Sequence, residues 1–456
     1  MLRPLCTASL ALAGTLITTL AVAGCSGSDA ATTSTFPTWH NTQVNAVSRT
    51  SVAGGVVAAT SMKPDGTLET VAIGLNDGRR LWAYPATMAG RLPGMGVSAP
   101  AIAETGRGQA VVVALDPARG QAGGGRWNAT LVARDARSGA RKWTRPVHST
   151  FGPQRCGPYV CLSEHTALAK ARMVVLDPAT GKQLWQLPGI SEVEWSDATR
   201  VLLLRLSDDP TVESYDIRTG KLQWQQPIEQ ALGPGVDLSG GWAFGAAGPD
   251  LVGYVAPYTD PRTKRVSTFG LFSVKVQDGT INWIRPSVVR VYPSGNPGHA
   301  PVVRPVDRGG SYGGFAKLDP ASGRVLGQIT AAAVPGSGWW LAFPDRMDHL
   351  GFLLHNAKGS AFNLASGKPA PVDGRRGWSF CVTDPKPLPL RGQPPGFYST
   401  AALCEYDLGT GKRVSPAAAP PPWYTGSQDG WRLWRDEKGA LHAVNDHTAS
   451  APGMYG

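Results

Sequence analysis

The sequence predicts an all-β chain of tandem four-stranded units closed into a ring, a β-propeller. Three observations predict it. Eight strand-like apolar runs each end in a short turn that closes on glycine, at Gly78, Gly139, Gly181, Gly220, Gly279, Gly323, Gly367 and Gly411. The last three intervals, from 279 to 411, are 44 residues each, and a fixed period of that size marks a tandem repeat. The composition fits short strands joined by turns: 56 Gly and 38 Pro among 456 residues, 17% charged and 42% apolar. Beyond residue 25, runs such as Ala110–Leu115, Met173–Leu176 and Val201–Leu206 are short, rich in Val and Leu and bounded by turn residues.

The best copies show what the spacing is for. Ala133, Asp135, Gly139 and Trp143 fall at relative positions 1, 3, 7 and 11, and Val175, Asp177, Gly181, Trp185 and Ser214, Asp216, Gly220, Trp224 repeat the frame. Trp82 and Trp283 also stand four residues after their glycines. The Asp can accept backbone N–H bonds inside the turn, and the Gly can take the positive φ that lets two strands reverse. The Trp opens the next strand with a ring large enough to lie over the neighbouring unit's turn. Ala114, Asp116 and Gly120 match the first three positions, but Gly124 replaces the Trp, so that segment reads as an inner hairpin loop.

This pattern resembles the tryptophan-docking motif of the pyrroloquinoline-quinone (PQQ)-like β-propellers. That family includes quinoprotein alcohol dehydrogenases and the lipoprotein B subunit of the outer-membrane β-barrel assembly machine. The resemblance covers residues 36–450 and implies that Trp82, Trp143, Trp185, Trp224 and Trp283 dock successive blades. Gly327, Pro371 and Ser415 replace the Trp in the last three copies, where docking is expected to be looser.

Over about 410 residues, eight blades of roughly 50 residues each are expected, with seven as the alternative. Intervals of 61 (Gly78 to Gly139) and 59 (Gly220 to Gly279) imply insertions around Gly120–Gly125 and Tyr258–Lys264, expected on one rim. Trp431–Trp434 and Ala440–Val444 read as a hairpin turning at Asp436–Gly439. Pro37-Thr-Trp39 can supply the outer strand of that last blade, closing the ring and removing a free edge. Residues 451–456 are read as a C-terminal tail.

The N-terminus points to a compartment. Arg3 precedes an apolar stretch, Leu5 to Val22, that ends in Val22-Ala23-Gly24-Cys25. That tetrapeptide resembles the bacterial lipobox. Residues 1–24 are then a lipoprotein signal peptide, Cys25 the lipidated first residue and residues 25–35 a flexible tether. A diacylglyceryl thioether on Cys25, with palmitate-like acylation, would hold the chain on the extracytoplasmic face of the cell membrane. Setting aside Cys6 and Cys25 leaves Cys156, Cys161, Cys381 and Cys404, an even number that an oxidising compartment should pair. Of three connectivities, Cys156–Cys161 and Cys381–Cys404 keep each bridge within one blade. Metal ligation by these thiols lacks a Cys-x-x-Cys and a neighbouring His.

The net charge of +11 has two readings, attraction to anionic headgroups or wall polymers, or the usage of a high-GC genome with charges spread along the chain. No long basic run suggests nucleic acid. The family's dehydrogenases carry adjacent cysteines, an Asp base and a calcium site. Here no two cysteines are neighbours, no matching set can be placed, and the haem signature Cys-x-x-Cys-His is absent from the sequence. His40, His148, His165, His299, His349 and His355 stand isolated in sequence. Gly309-Gly-Ser311-Tyr-Gly313 matches a nucleophile elbow without the helix that should follow, and Asp208-Asp209-Pro reads as a turn. The expectation is a monomeric, membrane-anchored binding or scaffold module for a protein partner or an anionic envelope polymer, with no catalytic, metal or cofactor residues assigned. A PQQ-dependent dehydrogenase and an extracellular sensor component remain the alternatives.

Overall fold

In the computed structural model the described residues are 37–87, 97–106, 108–118, 128–167, 170–292, 301–307, 311–333, 340–344, 351–355, 361–364, 367–369, 376–381, 402–407, 409–414, 426–428, 430–436 and 438–445. The chain separates into Met1–Thr35 and Phe36–Gly456. Cys25 and the tether lie outside the described residues, among which no helix is long and apolar enough to cross a membrane.

The described strands form antiparallel meanders in which strands within a sheet pair with their neighbours in the chain, apart from the closing strand Thr38–Asn41. Five separate sheets are four-stranded, one is seven-stranded and two are three-stranded. The expected count of eight, or seven, four-stranded blades is therefore corrected: five stand as separate four-stranded sheets among the described residues. The physical reason lies in the strand Arg141–Cys156, 16 residues long. Its first half pairs with Asn128–Asp135 and its second half with Tyr159–Ala167, so two motif frames share one sheet. Between Leu162–Pro153 and Glu164–Ser149 the register slips, and Gly152 there takes φ +79. A bulge thus turns one strand from the edge of one unit to the start of the next without a loop.

Closure follows the sequence reading. Thr38–Asn41 pairs with Leu441–Asn445, Trp39 opposite Ala443 and His40 opposite His442. It becomes the outer strand of the sheet that also holds Gly426–Gln428 and Trp431–Arg435. The chain ends thereby cover an edge that would otherwise offer unpaired N–H and C=O groups. The hairpin at Asp436–Gly439 is present, and Gly439 O accepts from Ala46 N at 2.8 Å.

The two insertions occupy equivalent places. One joins Gln109–Pro117 to Asn128–Asp135 and the other joins Asp250–Val255 to Gly270–Lys275. Both connections leave from the end of a unit's second strand, opposite the motif turns, which link the third and fourth; Gly120–Gly125 itself lies outside the described residues, whereas Tyr258–Lys264 is described and Lys264 N donates to Asp260 O at 2.9 Å. The core lies within and between sheets. Met173, Val175 and Trp185 of one sheet pack with Val201, Leu203 and Tyr215 of the next, each 9% exposed or less.

Candidate functional site

The repeat turn is built as the residue types dictate. In Asp216–Gly220, Asp216 Oδ1 accepts from Thr219 N at 2.8 Å and from Thr219 Oγ1 at 2.6 Å. These bonds favour the ionised carboxylate and lower the Asp216 pKa, the Thr219 hydroxyl contributing most. Gly220 takes φ +70, and a Cβ there would stand 2.6 Å from the Trp185 ring. The turn therefore needs glycine twice over, for its backbone and for the ring it carries.

Each of the five tryptophans lies on the next unit's turn and donates its indole N–H to a turn carbonyl. Trp82 Nε1 reaches Ala136 O at 2.9 Å, Trp143 Pro178 O at 2.8 Å and Trp185 Ile217 O at 2.8 Å. Trp224 reaches Val276 O at 3.1 Å and Trp283 Pro320 O at 3.0 Å. A sixth, Trp39, does the same to Leu75 O at 2.7 Å and sits on Gly78. The spacing rule missed Trp39 because the chain ends interrupt its turn and no glycine stands four residues before it. Register could have found it: Trp39 lies opposite Ala443 as Trp143 lies opposite Ala133. In the copy lacking the ring, Gly327 holds the register position opposite Lys317, and Gly367 meets the carbonyl of Gln328 instead. Pro371 and Ser415 lie outside the described residues.

The turns also gather charge. A cation follows the turn glycine directly at Arg79, Lys182, Lys221, Arg324, Lys368 and Lys412, and Arg141 stands two residues after Gly139; all seven are exposed. Arg80, Arg137, Lys142, Arg218 and Arg413 add to the same turns and are also exposed. The turn aspartates' carboxylates accept the turn's own N–H groups; Asp135 also pairs with Lys142 at 3.5 Å, and Arg80 with Glu69 at 4.0 Å. Charges that look dispersed along the sequence thus form a belt on one rim, because the repeat returns them to one place in every unit.

The opposite rim carries a different surface. Asp209, Pro210, Pro227, Glu229, Gln230 and Pro234 line a shallow, proline-walled pocket beside the short helix Ile228–Leu232. Asp208-Asp209-Pro is the turn between Arg200–Leu206 and Thr211–Asp216, as read from the sequence. Toward the ring's interior, Glu194 sits at a bulge in the first strand of its sheet and accepts from Trp242 Nε1, in the first strand of the next, at 3.0 Å. Burial first, then the Glu192 charge, push its carboxyl up to about 8. Nothing in the repeat frame announced this pair, because bulges leave no spacing signature.

Of the other sequence candidates, Cys156 and Cys161 are joined across the Gly157-Pro158 turn with Cα atoms 5.8 Å apart. Cys404 is also disulfide-bonded, on the strand next to that of Cys381. Ser311 sits in a tight loop between two strands, its N–H on Asp307 Oδ1 at 2.9 Å, with no helix following. His40 is not isolated in space: its ring stacks on His442 at 4.1 Å. Burial first, then the neighbouring His442, lower its pKa.

No family model and no curated protein matches the chain. Solved structures similar to it include BamB from Moraxella catarrhalis, 12% identical over 90% of this chain and 98% of that one, with a TM-score of 0.43. The rhamnogalacturonan lyase YesW is 15% identical over 90% and 92%, with a TM-score of 0.41. A quinohemoprotein alcohol dehydrogenase from Pseudomonas putida HK5 is 14% identical over 90% and 76%, with a TM-score of 0.36. These neighbours differ in function. The molecule's own geometry, with six indoles seated on six glycine turns, makes the chain an all-β propeller whose units are docked by tryptophan.

Proposed function

We propose that the chain is a lipid-anchored, extracytoplasmic propeller that works as a binding module, holding an anionic partner on its motif-turn rim. The observation that carries this reading is the belt of exposed Lys and Arg repeated after the turn glycines. A belt of this kind attracts polyanions through a field that salt screens over about 8 Å at physiological ionic strength. It needs no reactive group, and Arg adds bidentate contacts to phosphate or carboxylate. The lipobox-like Val22-Ala23-Gly24-Cys25 supports attachment at the membrane, which would keep such a rim close to headgroups, wall polymer or a protein partner. The disulfide Cys156–Cys161 supports an oxidising compartment, and Cys381 is assigned as the partner of Cys404.

The ring count belonging to this reading is nine units, one for each turn glycine and one for the closing sheet, with the seven-stranded sheet counted as two. Particle averages viewed down the ring axis that show another number would overturn that count.

The binding test uses the full chain on an immobilised polyphosphate or teichoic-type polymer across a salt gradient. Retention should weaken with salt and fall when Lys182, Lys221 and Arg324 are changed together to Gln, with the melting temperature preserved. Equal retention of that variant and the wild type would refute the belt as the binding surface. Quinone-dependent turnover well above a heat-denatured control would favour the dehydrogenase reading instead.

A further inference from the structure

Ring closure creates a side-chain cluster that no part of the repeat explains. His40 on the N-terminal strand lies opposite His442, and His442 lies opposite Trp434, so three rings stack across three strands. The His40 and His442 centroids are 4.1 Å apart with planes 17° apart; His442 and Trp434 are 5.2 Å apart and 10° apart. Asp436, in the hairpin turn, places Oδ2 2.9 Å from His442 Nε2. One ligand atom from each of His40, His442 and Asp436 falls within 4.8 Å of the others. We propose that these three side chains bind a divalent transition-metal ion that clips the N-terminal strand onto the closing sheet.

The donor set selects the ion. Two imidazoles and one carboxylate suit zinc, and by the same chemistry nickel or copper, better than calcium or magnesium, which take oxygen donors. Bonds of about 2.0–2.1 Å bring tetrahedral ligand atoms to about 3.3 Å from one another. The widest separation, up to 4.8 Å, must therefore contract by up to about 1.5 Å, and the exposed His40 ring must rotate out of its stack on His442 to aim a nitrogen at the ion. The ion replaces the His442–Asp436 hydrogen bond. Asp436 is held for the task, because its other oxygen, Oδ1, accepts from Lys438 N at 2.8 Å and Ala440 N at 3.0 Å. Such outer contacts orient a ligating carboxylate. The neighbouring cation Arg435 sends its guanidinium Nε to the Ala46 carbonyl. The Trp434 ring, 8% exposed, walls one side of His442, while His40 is exposed.

The linkage gives the site a consequence. Its ligands sit at residues 40, 436 and 442, so the ion ties together the two ends of the ring. An ion that binds only the closed ring raises the folded-to-unfolded ratio about 100-fold when present at 100 times its Kd.

The test uses the mature chain, stripped with chelator and with any free thiol alkylated so that it cannot compete. Zinc chloride is titrated by calorimetry, and cobalt chloride is followed by its visible absorption. One ion per chain should bind, cobalt should give the intense bands of a tetrahedral site, and zinc should raise the melting temperature. His40→Ala, at an exposed position, should weaken zinc at least tenfold and abolish the zinc-dependent rise, while His165→Ala should leave both unchanged. Asp436→Asn should weaken binding less than His40→Ala. Saturable binding that His40→Ala leaves intact, or no stoichiometric binding by the wild type, would overturn the proposal; should His442→Ala fail to fold, His40→Ala decides alone.

Discussion

Replacing Trp185 by Ala isolates what the docking tryptophan does. The ring is 9% exposed, stacks on Tyr215 at 6.0 Å and packs with Met173, Val175, Val201 and Leu203. Truncating a buried Trp costs about 3–5 kcal/mol through lost transfer energy and the cavity left behind. The Ile217 carbonyl loses its 2.8 Å indole partner, adding about 1 kcal/mol unless water reaches it. A loss on the order of 4–6 kcal/mol is expected from guanidinium unfolding followed by tryptophan fluorescence and circular dichroism. Leu184→Ala, one residue earlier and 41% exposed, should cost less than about 0.5 kcal/mol. The sharper test couples the ring to its turn. Gly220→Ala strains a φ of +70 and drives a Cβ to 2.6 Å from the Trp185 ring. The backbone part, about 1–2 kcal/mol, persists in either background, whereas the clash vanishes once the ring is gone. The double variant should therefore be more stable than the sum of the singles predicts, by roughly 1 kcal/mol or more. Additive effects, or a wild-type melting temperature for Trp185→Ala, would refute the seating of the ring on the turn.

Three further outcomes are expected. Cys25→Ala should release the protein from membranes or stall its processing, and a wild-type N-terminus at unmodified Ser26 in the medium would contradict lipidation. A non-reducing digest should yield linked peptides for Cys381–Cys404 as well as Cys156–Cys161, the former closing the longer loop and stabilising by about 3 kcal/mol on the chain-entropy model; thiol labelling of Cys381 in native protein would exclude it. The Glu194 carboxyl titrates at about 8 folded, against 4.5 in an unfolded chain. The folded state therefore keeps a proton that the unfolded state loses, so stability falls as pH rises from about 4.5 through 8, by roughly 5 kcal/mol at most. Glu194→Gln should flatten that slope, and identical pH profiles for variant and wild type would remove Glu194 as its source.

Whatever the repeat encodes locally was legible in the residues alone. The aspartate and glycine of each turn act within five residues, so their spacing announced the turns, the strands on either side and the five in-frame tryptophans. The closing strand at Trp39 was legible too, since an apolar hairpin at the C-terminus needs a fourth strand. The unit count was not, because nothing local marks a strand such as Arg141–Cys156 that runs from one unit into the next; only pairing on both of its halves reveals it. The belt of cations was present in the sequence as dispersed charge, and the superposition of repeats on one rim made it a surface. His40 and His442 lie 402 residues apart, and Glu194 meets Trp242 across two sheets. Such meetings are set by ring closure and by strand register, which depend on contacts between distant parts of the chain; no window of sequence contains both partners.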